Sequence, residues 1–216
     1  MQTFAIVPAA GHSRRMGQPK LLLPWGDWTI GEQVLWNWRC SRVTRVLVVV
    51  RRDDDALAAG CRRVAAREGT TTAGRPLAPL DLVRPDLDPP DMKASVRAAL
   101  DFLERTYVVA STDAWLLAPA DLPQLSVELI DALVAAAEPA ATQIVVPVCG
   151  GRRGHPVLFP LAAAEEVRRL ADGEGLDRLV ARLPSRSLEF GPAALAADVD
   201  TPDDYRRLVE GTRRRC

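Results

Sequence analysis

Lysine is almost missing from this 216-residue chain: of its 28 basic residues only Lys20 and Lys93 are lysines. Nor is there an excess of charge, since 28 acids balance 28 bases. Without a general basic field, nucleic acid is not an expected partner. Cysteine is sparse and scattered at Cys40, Cys61, Cys149 and Cys216. The lack of any Cys-x-x-Cys pair argues against a zinc site or redox motif and fits free thiols in a reducing cytoplasm. No apolar run approaches the ~18 residues of a membrane span. The first residues lack the basic stretch and small-residue cleavage site of a signal peptide, so a cytoplasmic location is expected. Internal repeats and low-complexity linkers are also absent, and the length suits a single domain over 1–216.

What is present is concentrated in residues 3–26. Phe4 to Val7 is a short apolar run that reads as a buried strand. It breaks into a loop carrying Gly11, Gly17 and Pro19, with the cations Arg14, Arg15 and Lys20 close behind. Glycine lets backbone N–H groups approach a ligand, and successive N–H groups form a concave anion site. A buried strand, a glycine bend and fixed cations are what a polyphosphate requires. Two familiar phosphate loops are excluded. Gln18 and Pro19 separate Gly17 from Lys20, where a Walker A loop needs Gly-Lys-Ser/Thr in succession. Ser13 stands where a dinucleotide fingerprint needs its second glycine. The plain alternative is a solvated basic loop. Against a background of arginine, a lysine here suggests a compact point charge able to follow a reacting phosphoryl group.

The remaining chain alternates apolar runs with helical patterns, as an α/β protein does. Helices are expected over 29–40, 53–68, 91–105, 126–138, 161–170 and 176–183, with a last one capped by Thr201. Strands are expected over 46–50, 80–83, 115–117, 143–148 and 157–159, with 187–190 as an edge strand. The run ending in Ala120-Asp121-Leu122-Pro123 places a carboxylate just past a strand. Ligands of open α/β sheets bind at that end, so Asp121 should share a rim with the loop after Val7. The local alternative is an Asx-turn. Near the end, Thr201 to Asp204 is explained as a helix cap, but Asp200 is not.

The segment Ala9-Ala10-Gly11-His12-Ser13-Arg14-Arg15-Met16-Gly17-Gln18-Pro19-Lys20 resembles the signature loop of the MobA-like NTP transferases, Gly-x-Ser-x-Arg-Met-Gly, a spacer, then Lys. Met92 to Leu100 resembles that family's Gly-Met-Ser-Ser-Ser-Leu-Arg segment, with Asp91 replacing the glycine and Lys93 and Ala94 replacing two serines. Arg153-Gly154-His155-Pro156-Val157-Leu158-Phe159 resembles the molybdenum cofactor cytidylyltransferase branch. Asp198-Val199-Asp200-Thr201-Pro202 resembles the family's Asp-Ile-Asp-Thr-Pro. At Leu122 the branch more usually has Gln.

The resemblance implies a three-layer Rossmann-like nucleotidyltransferase fold, with a mostly parallel central sheet and helices on both faces. It implies transfer of CMP from CTP to a phosphorylated acceptor, molybdenum-bearing molybdopterin, with release of pyrophosphate. Nucleotide contacts fall to Ala9, Ala10, Gly11, Ser13, Arg15, Lys20 and Ser95. Lys20, Arg15 and Asp121 carry the catalysis, and Asp121 and Asp200 bind Mg²⁺. A molybdoenzyme or its chaperone is a further partner. Alternatives are a guanylyltransferase or a sugar- or alcohol-phosphate nucleotidyltransferase of the same fold, and, in another class, a non-catalytic cofactor carrier. The acceptor is expected near the segments after Gly69 and around Cys149. His155 is expected to orient rather than to act as acid or base.

Overall fold

The computed structural model describes residues 1–213, excepting the side chains of Ala193, Ala194, Thr212 and Arg213; Cys216 lies outside the described residues. Strand β1 (Thr3–Pro8) leads, through a turn of 3-10 helix at Lys20–Leu22, into a small hairpin of β2 (Pro24–Trp25) and β3 (Trp28–Thr29). Then follow α1 (Ile30–Cys40), β4 (Arg45–Val49), α2 (Asp55–Ala65), β5 (Leu80–Val83) and α3 (Met92–Thr106). After these come β6 (Ala114–Leu117), α4 (Val127–Ala137), β7 (Ile144–Cys149), the two-residue β8 (Arg152–Arg153) and β9 (Val157–Pro160). Helices α5 (Ala163–Arg169) and α6 (Asp177–Arg182), strand β10 (Ser185–Glu189) and helix α7 (Pro202–Arg213) complete the order.

One eight-stranded sheet runs β10-β7-β9-β6-β1-β4-β5, with β8 paired to β7. The pairs β1–β4, β1–β6, β4–β5 and β7–β10 are parallel, while β9 runs against both β6 and β7. Strand β1 is buried on both faces, which is why it reads as a continuous apolar run. Its Ala5 and Val7 join Ile30, Val34, Leu57 and Leu129 in the core on one side of the sheet. Its Phe4 and Ile6 join Val96, Leu100, Val167 and Leu179 on the other. Each of these Val, Leu, Ile and Phe side chains, fully buried, contributes about 1.5–3 kcal/mol. Among the described residues no helix is long and apolar enough to cross a membrane.

Helix starts follow the sequence signals. Thr29 and Glu32 form a reciprocal capping box on α1, and the side chains of Asp91 and Ser126 cap α3 and α4. Several ends differ from expectation by a few residues, and at two of them backbone hydrogen bonding sets the boundary. Helix α2 begins at Asp55 because Asp54 is spent as its cap, accepting from the Leu57 N–H at 3.1 Å. Strand β10 starts at Ser185, two residues early, because backbone pairing with Ile144 begins there although its outward residues are polar. The β2–β3 hairpin is not anticipated; Gly26, at φ 60, makes its tight turn.

The chain leaves β1 for β4 and β5 on one side and returns to β6 on the other. The crevice outside the carboxyl ends of β1 and β6 is therefore the switch point at which open α/β sheets bind ligands.

Candidate active site

The loop after β1 is anchored by Ala9, whose N–H donates to the Val49 carbonyl of β4 at 2.9 Å. Beyond it, the N–H groups of Ala10, Gly11, His12 and Ser13 take part in no hydrogen bond among the described residues. Ser13 has φ 51, a conformation few non-glycine residues adopt. That kink lets its carbonyl accept from the N–H groups of Met16 at 3.0 Å and Gly17 at 3.2 Å. Its hydroxyl accepts from the Lys20 N–H at 3.2 Å, tying the bend to the lysine. On the outer side Arg51, just past β4, donates to the Gly11 carbonyl at 3.1 Å and is itself paired with Asp54 at 3.1 Å. The loop's oxygens are thus held on the Arg51 side, while its N–H groups stay free for an anion.

Asp121 shares this rim, as its place after β6 predicts. The neighbouring Ala120 N–H donates to the Pro8 carbonyl at 3.2 Å, and the Val199 N–H donates to the Asp121 carbonyl at 3.0 Å. The second bond brings the 198–200 segment alongside. The outcome is a compact charge cluster. Lys20 Nζ lies 2.5 Å from Asp121 Oδ2 and 2.8 Å from Asp200 Oδ1, and Arg15 meets Asp200 Oδ2 at 2.8 Å. Burial alone would lower the Lys20 pKa, but the charges and hydrogen bonds of Asp121 and Asp200 outweigh it and hold the ammonium above its ordinary value. Asp121 is pushed up by burial, against the opposing pull of Lys20.

Asp121 Oδ1 is buried and has no hydrogen-bond partner among the described residues. A buried carboxylate oxygen without a donor is costly, and it is the kind of atom a cation satisfies. Two carboxylates suit a hard divalent ion that keeps several waters and phosphate oxygens as ligands. No group of three or more His, Cys, Asp or Glu placed to hold a metal occurs among the described residues.

One cavity adjoins the cluster, and a second neighbours the first. The first, about 360 Å³, is lined by Ala9, Ala10, Gly11, Ser13, Lys20, Ser95 and Asp121 among others. Ser95 is buried and its hydroxyl donates to the Asp91 carbonyl at 3.2 Å. Arg15 reaches the cluster through Asp200. The second cavity, about 510 Å³, lies beyond the first turn of α3, whose Asp91 and Met92 line both. Its walls are mostly apolar, with Leu117, Val146, Val157, Phe159, Leu176 and Val180. His155 stands at its mouth, open to solvent yet crowded by protein. That crowding lowers its pKa, against its hydrogen bond to the Leu117 carbonyl and the charges of Asp121 and Asp198.

The segment after Gly69 takes no part in either cavity. It packs instead on α1 and α4, through the Ala78 N–H to the Arg39 carbonyl at 2.9 Å and the Arg75–Asp131 pair at 3.0 Å. Leu122, where the family's cytidylyltransferases more usually have Gln, is 2% exposed and belongs to the core rather than the cleft. Arg51 was not singled out from the sequence. The available signal was an arginine directly after a buried strand and before the acids Asp53 and Asp54.

Residues 5–187 match the MobA-like NTP transferase domain. The chain belongs to that family. It is 26% identical to the molybdenum cofactor cytidylyltransferase of Escherichia coli (strain K12), covering 93% of this chain and 92% of that protein. It is 32% identical to the purine catabolism protein PucB of Bacillus subtilis (strain 168), covering 91% of each. The crystal structure of Rv0371c from Mycobacterium tuberculosis H37Rv in complex with manganese superposes with a TM-score of 0.71 at 28% identity, covering 97% of this chain and 99% of that one. Membership makes the chain a nucleotidyltransferase by family, with the Rossmann-like fold of its structural neighbours.

Proposed function

We propose that the protein transfers CMP from CTP to the terminal phosphate of a small acceptor, molybdenum-bearing molybdopterin, and releases pyrophosphate. The observation that carries this reading is the Lys20 ammonium seated between Asp121 and Asp200, beside a loop whose N–H groups from Ala10 to Ser13 are free. A carrier that only held a cofactor would have no use for paired carboxylates around a lysine at the end of a phosphate loop.

In this reading an acceptor phosphate oxygen attacks the α-phosphorus of CTP in line, and the bond from that phosphorus to the β-phosphate oxygen breaks. The free N–H groups and Ser13 hold the triphosphate. Arg15 takes the β- and γ-phosphates, which depart as pyrophosphate. Lys20 neutralises charge that builds at the α-phosphate. Positioning and charge neutralisation are most of what such a transfer requires. Mg²⁺, bound by Asp121 and Asp200, would supply Lewis-acid neutralisation of the phosphate oxygens. The acceptor phosphate is anionic at neutral pH, so His155 is not needed as a base. The apolar second cavity speaks against a hydroxyl-rich sugar phosphate as acceptor. Ala10, 5% exposed, lines the first cavity, and its methyl group takes space that a glycine would leave open, which favours the smaller pyrimidine.

The test is pyrophosphate release from CTP and GTP in the presence of Mg²⁺ and molybdenum-bearing molybdopterin. Release with CTP at least about tenfold faster than with GTP supports the reading; equal use of both removes the base assignment, and no release from either removes the activity.

A further inference from the structure

The second lysine of the chain is the better clue to the second cavity. Lys93 is 6% exposed, one helical position into α3, and lines that cavity. Its only described hydrogen bond is from Nζ to the Ala171 carbonyl at 2.6 Å. No carboxylate pairs with it among the described residues. Lysine is almost never buried without a counter-ion. An ammonium has three donors, so two remain uncommitted.

A purely structural role as a cap for the end of α5 explains little of this. Arg97, one turn further along α3, already donates to the carbonyls of Val167, Arg168 and Leu170 at 2.9–3.2 Å. A leucine or methionine would fill the Lys93 position without burying a charge. The chain also writes nearly all its other positive charge as arginine.

We propose that Lys93 is the anion-binding residue of the second cavity, and that its ligand is an apolar or aromatic body carrying an anionic group. The apolar walls, Phe159 and Leu176 among them, take the body, and Lys93 takes the charge. The acids on this cavity limit how much charge can enter. Asp91 is occupied in capping the Ala94 N–H at 2.7 Å, and Glu174 accepts from the Ala171 N–H and Arg182. Asp177 is exposed at the rim. Arg153, which is exposed, also lines the cavity, so two bases face three acids there and Lys93 is the one buried cation. This suits one buried anion, while a polyphosphate belongs in the cavity of Lys20 and Ser95. Since Lys93 and Ser95 stand in the same helical turn and line different cavities, α3 is the partition between them. That the ligand is the transfer acceptor rests on the nucleotidyltransferase reading; that it is an amphipathic anion does not.

The probe is 8-anilinonaphthalene-1-sulfonate, an aromatic body with one sulfonate, titrated by fluorescence into the full-length protein. The expected result is one saturable site whose affinity falls with added salt and survives saturating CTP and Mg²⁺. Lys93→Met should weaken it at least tenfold and reduce the salt dependence to what Arg153 alone supplies, while Lys20→Met should leave it unchanged. Uncharged N-phenyl-1-naphthylamine should bind wild type and Lys93→Met alike, which separates loss of charge from loss of the cavity. If Lys93→Met fails to fold, Lys93→Gln takes its place. Unaltered sulfonate binding in the variant, or displacement of the probe by CTP, overturns the proposal. Pyrophosphate release, measured separately, reports on the transferase reading whichever way the probe behaves.

Discussion

Lys20 and Asp200 are 180 positions apart in the chain and 2.8 Å apart in space, with the lysine ammonium filling the gap that separates Asp200 from Asp121. The ammonium therefore competes with any cation for the same oxygens. Replacing Lys20 by Met should lower CTP-dependent pyrophosphate release about a hundredfold to a thousandfold, the loss expected for one oriented charge at a transition state. In the absence of nucleotide, the same variant should bind Mn²⁺ at least about tenfold more tightly, because a like charge at contact distance is removed. Electron paramagnetic resonance of free Mn²⁺ reads this directly, and weaker binding in the variant would contradict the shared site.

Gly11 offers a cleaner separation of folding from binding. A Cβ built there meets nothing within 4 Å. Gly11→Ala should leave stability to denaturant within about 0.5 kcal/mol of wild type. The added methyl would stand among the free N–H groups, so the KM for CTP should rise about tenfold or more. A variant that binds CTP normally would show that the triphosphate lies elsewhere.

Arg51 acts on the loop from behind, through the Gly11 carbonyl at 3.1 Å. Arg51→Ala should raise the KM for CTP with little change in kcat, since the loop loses its orientation but no group at the phosphorus is removed. Mn²⁺ affinity of the free protein should not move. A fall in kcat with unchanged KM would refute this positioning role.

Glu32 sets an acid limit on stability. Burial alone would raise its pKa, but hydrogen bonds from Thr29 and the Arg63 pair at 2.7 Å more than reverse this and hold it below the ordinary glutamate value. A group depressed in the folded state contributes fully above its unfolded pKa, and the contribution is lost as pH falls through the folded value. Glu32→Gln should therefore cost about 1 kcal/mol near pH 7, the scale of a helix cap. The gap to wild type should close as pH drops below 4.5, the ordinary glutamate value. Urea unfolding from pH 7 to pH 3 measures it; a gap that widens in acid would reverse the assignment.

The elements around the site were legible because their signals are local. The buried run of β1, the Thr29 capping box and the Asp121 carboxylate at the end of β6 each depend on a few adjacent residues. That Asp121 shares a rim with the loop of Lys20 was legible from its place after a strand. The arrival of Asp200 beside them was legible only through family resemblance, since no spacing rule relates it to those distant segments. Arg51 and Lys93 escaped functional assignment for a different reason. An arginine after a strand is usually a solvated charge, and a lysine at a helix start usually points to water. Only burial and partners distinguish these two from that background. The acceptor was expected near the segments after Gly69 and around Cys149; the first of these lines neither cavity, and a long polar loop resembles a binding loop until its hydrogen bonds to α1 and α4 are seen.

The reversed direction of β9 has a practical outcome. It feeds the turn carrying His155 into the same rim that receives the outgoing loops of β1 and β6. The opposite rim carries connections tied to one another, such as the Ala141 N–H to the Thr112 carbonyl at 3.2 Å and the Leu161 N–H to the Asp113 carbonyl at 2.8 Å. Val108, 91% exposed in that region, is accordingly a site where a fluorophore or an inserted peptide can be attached without touching either cavity.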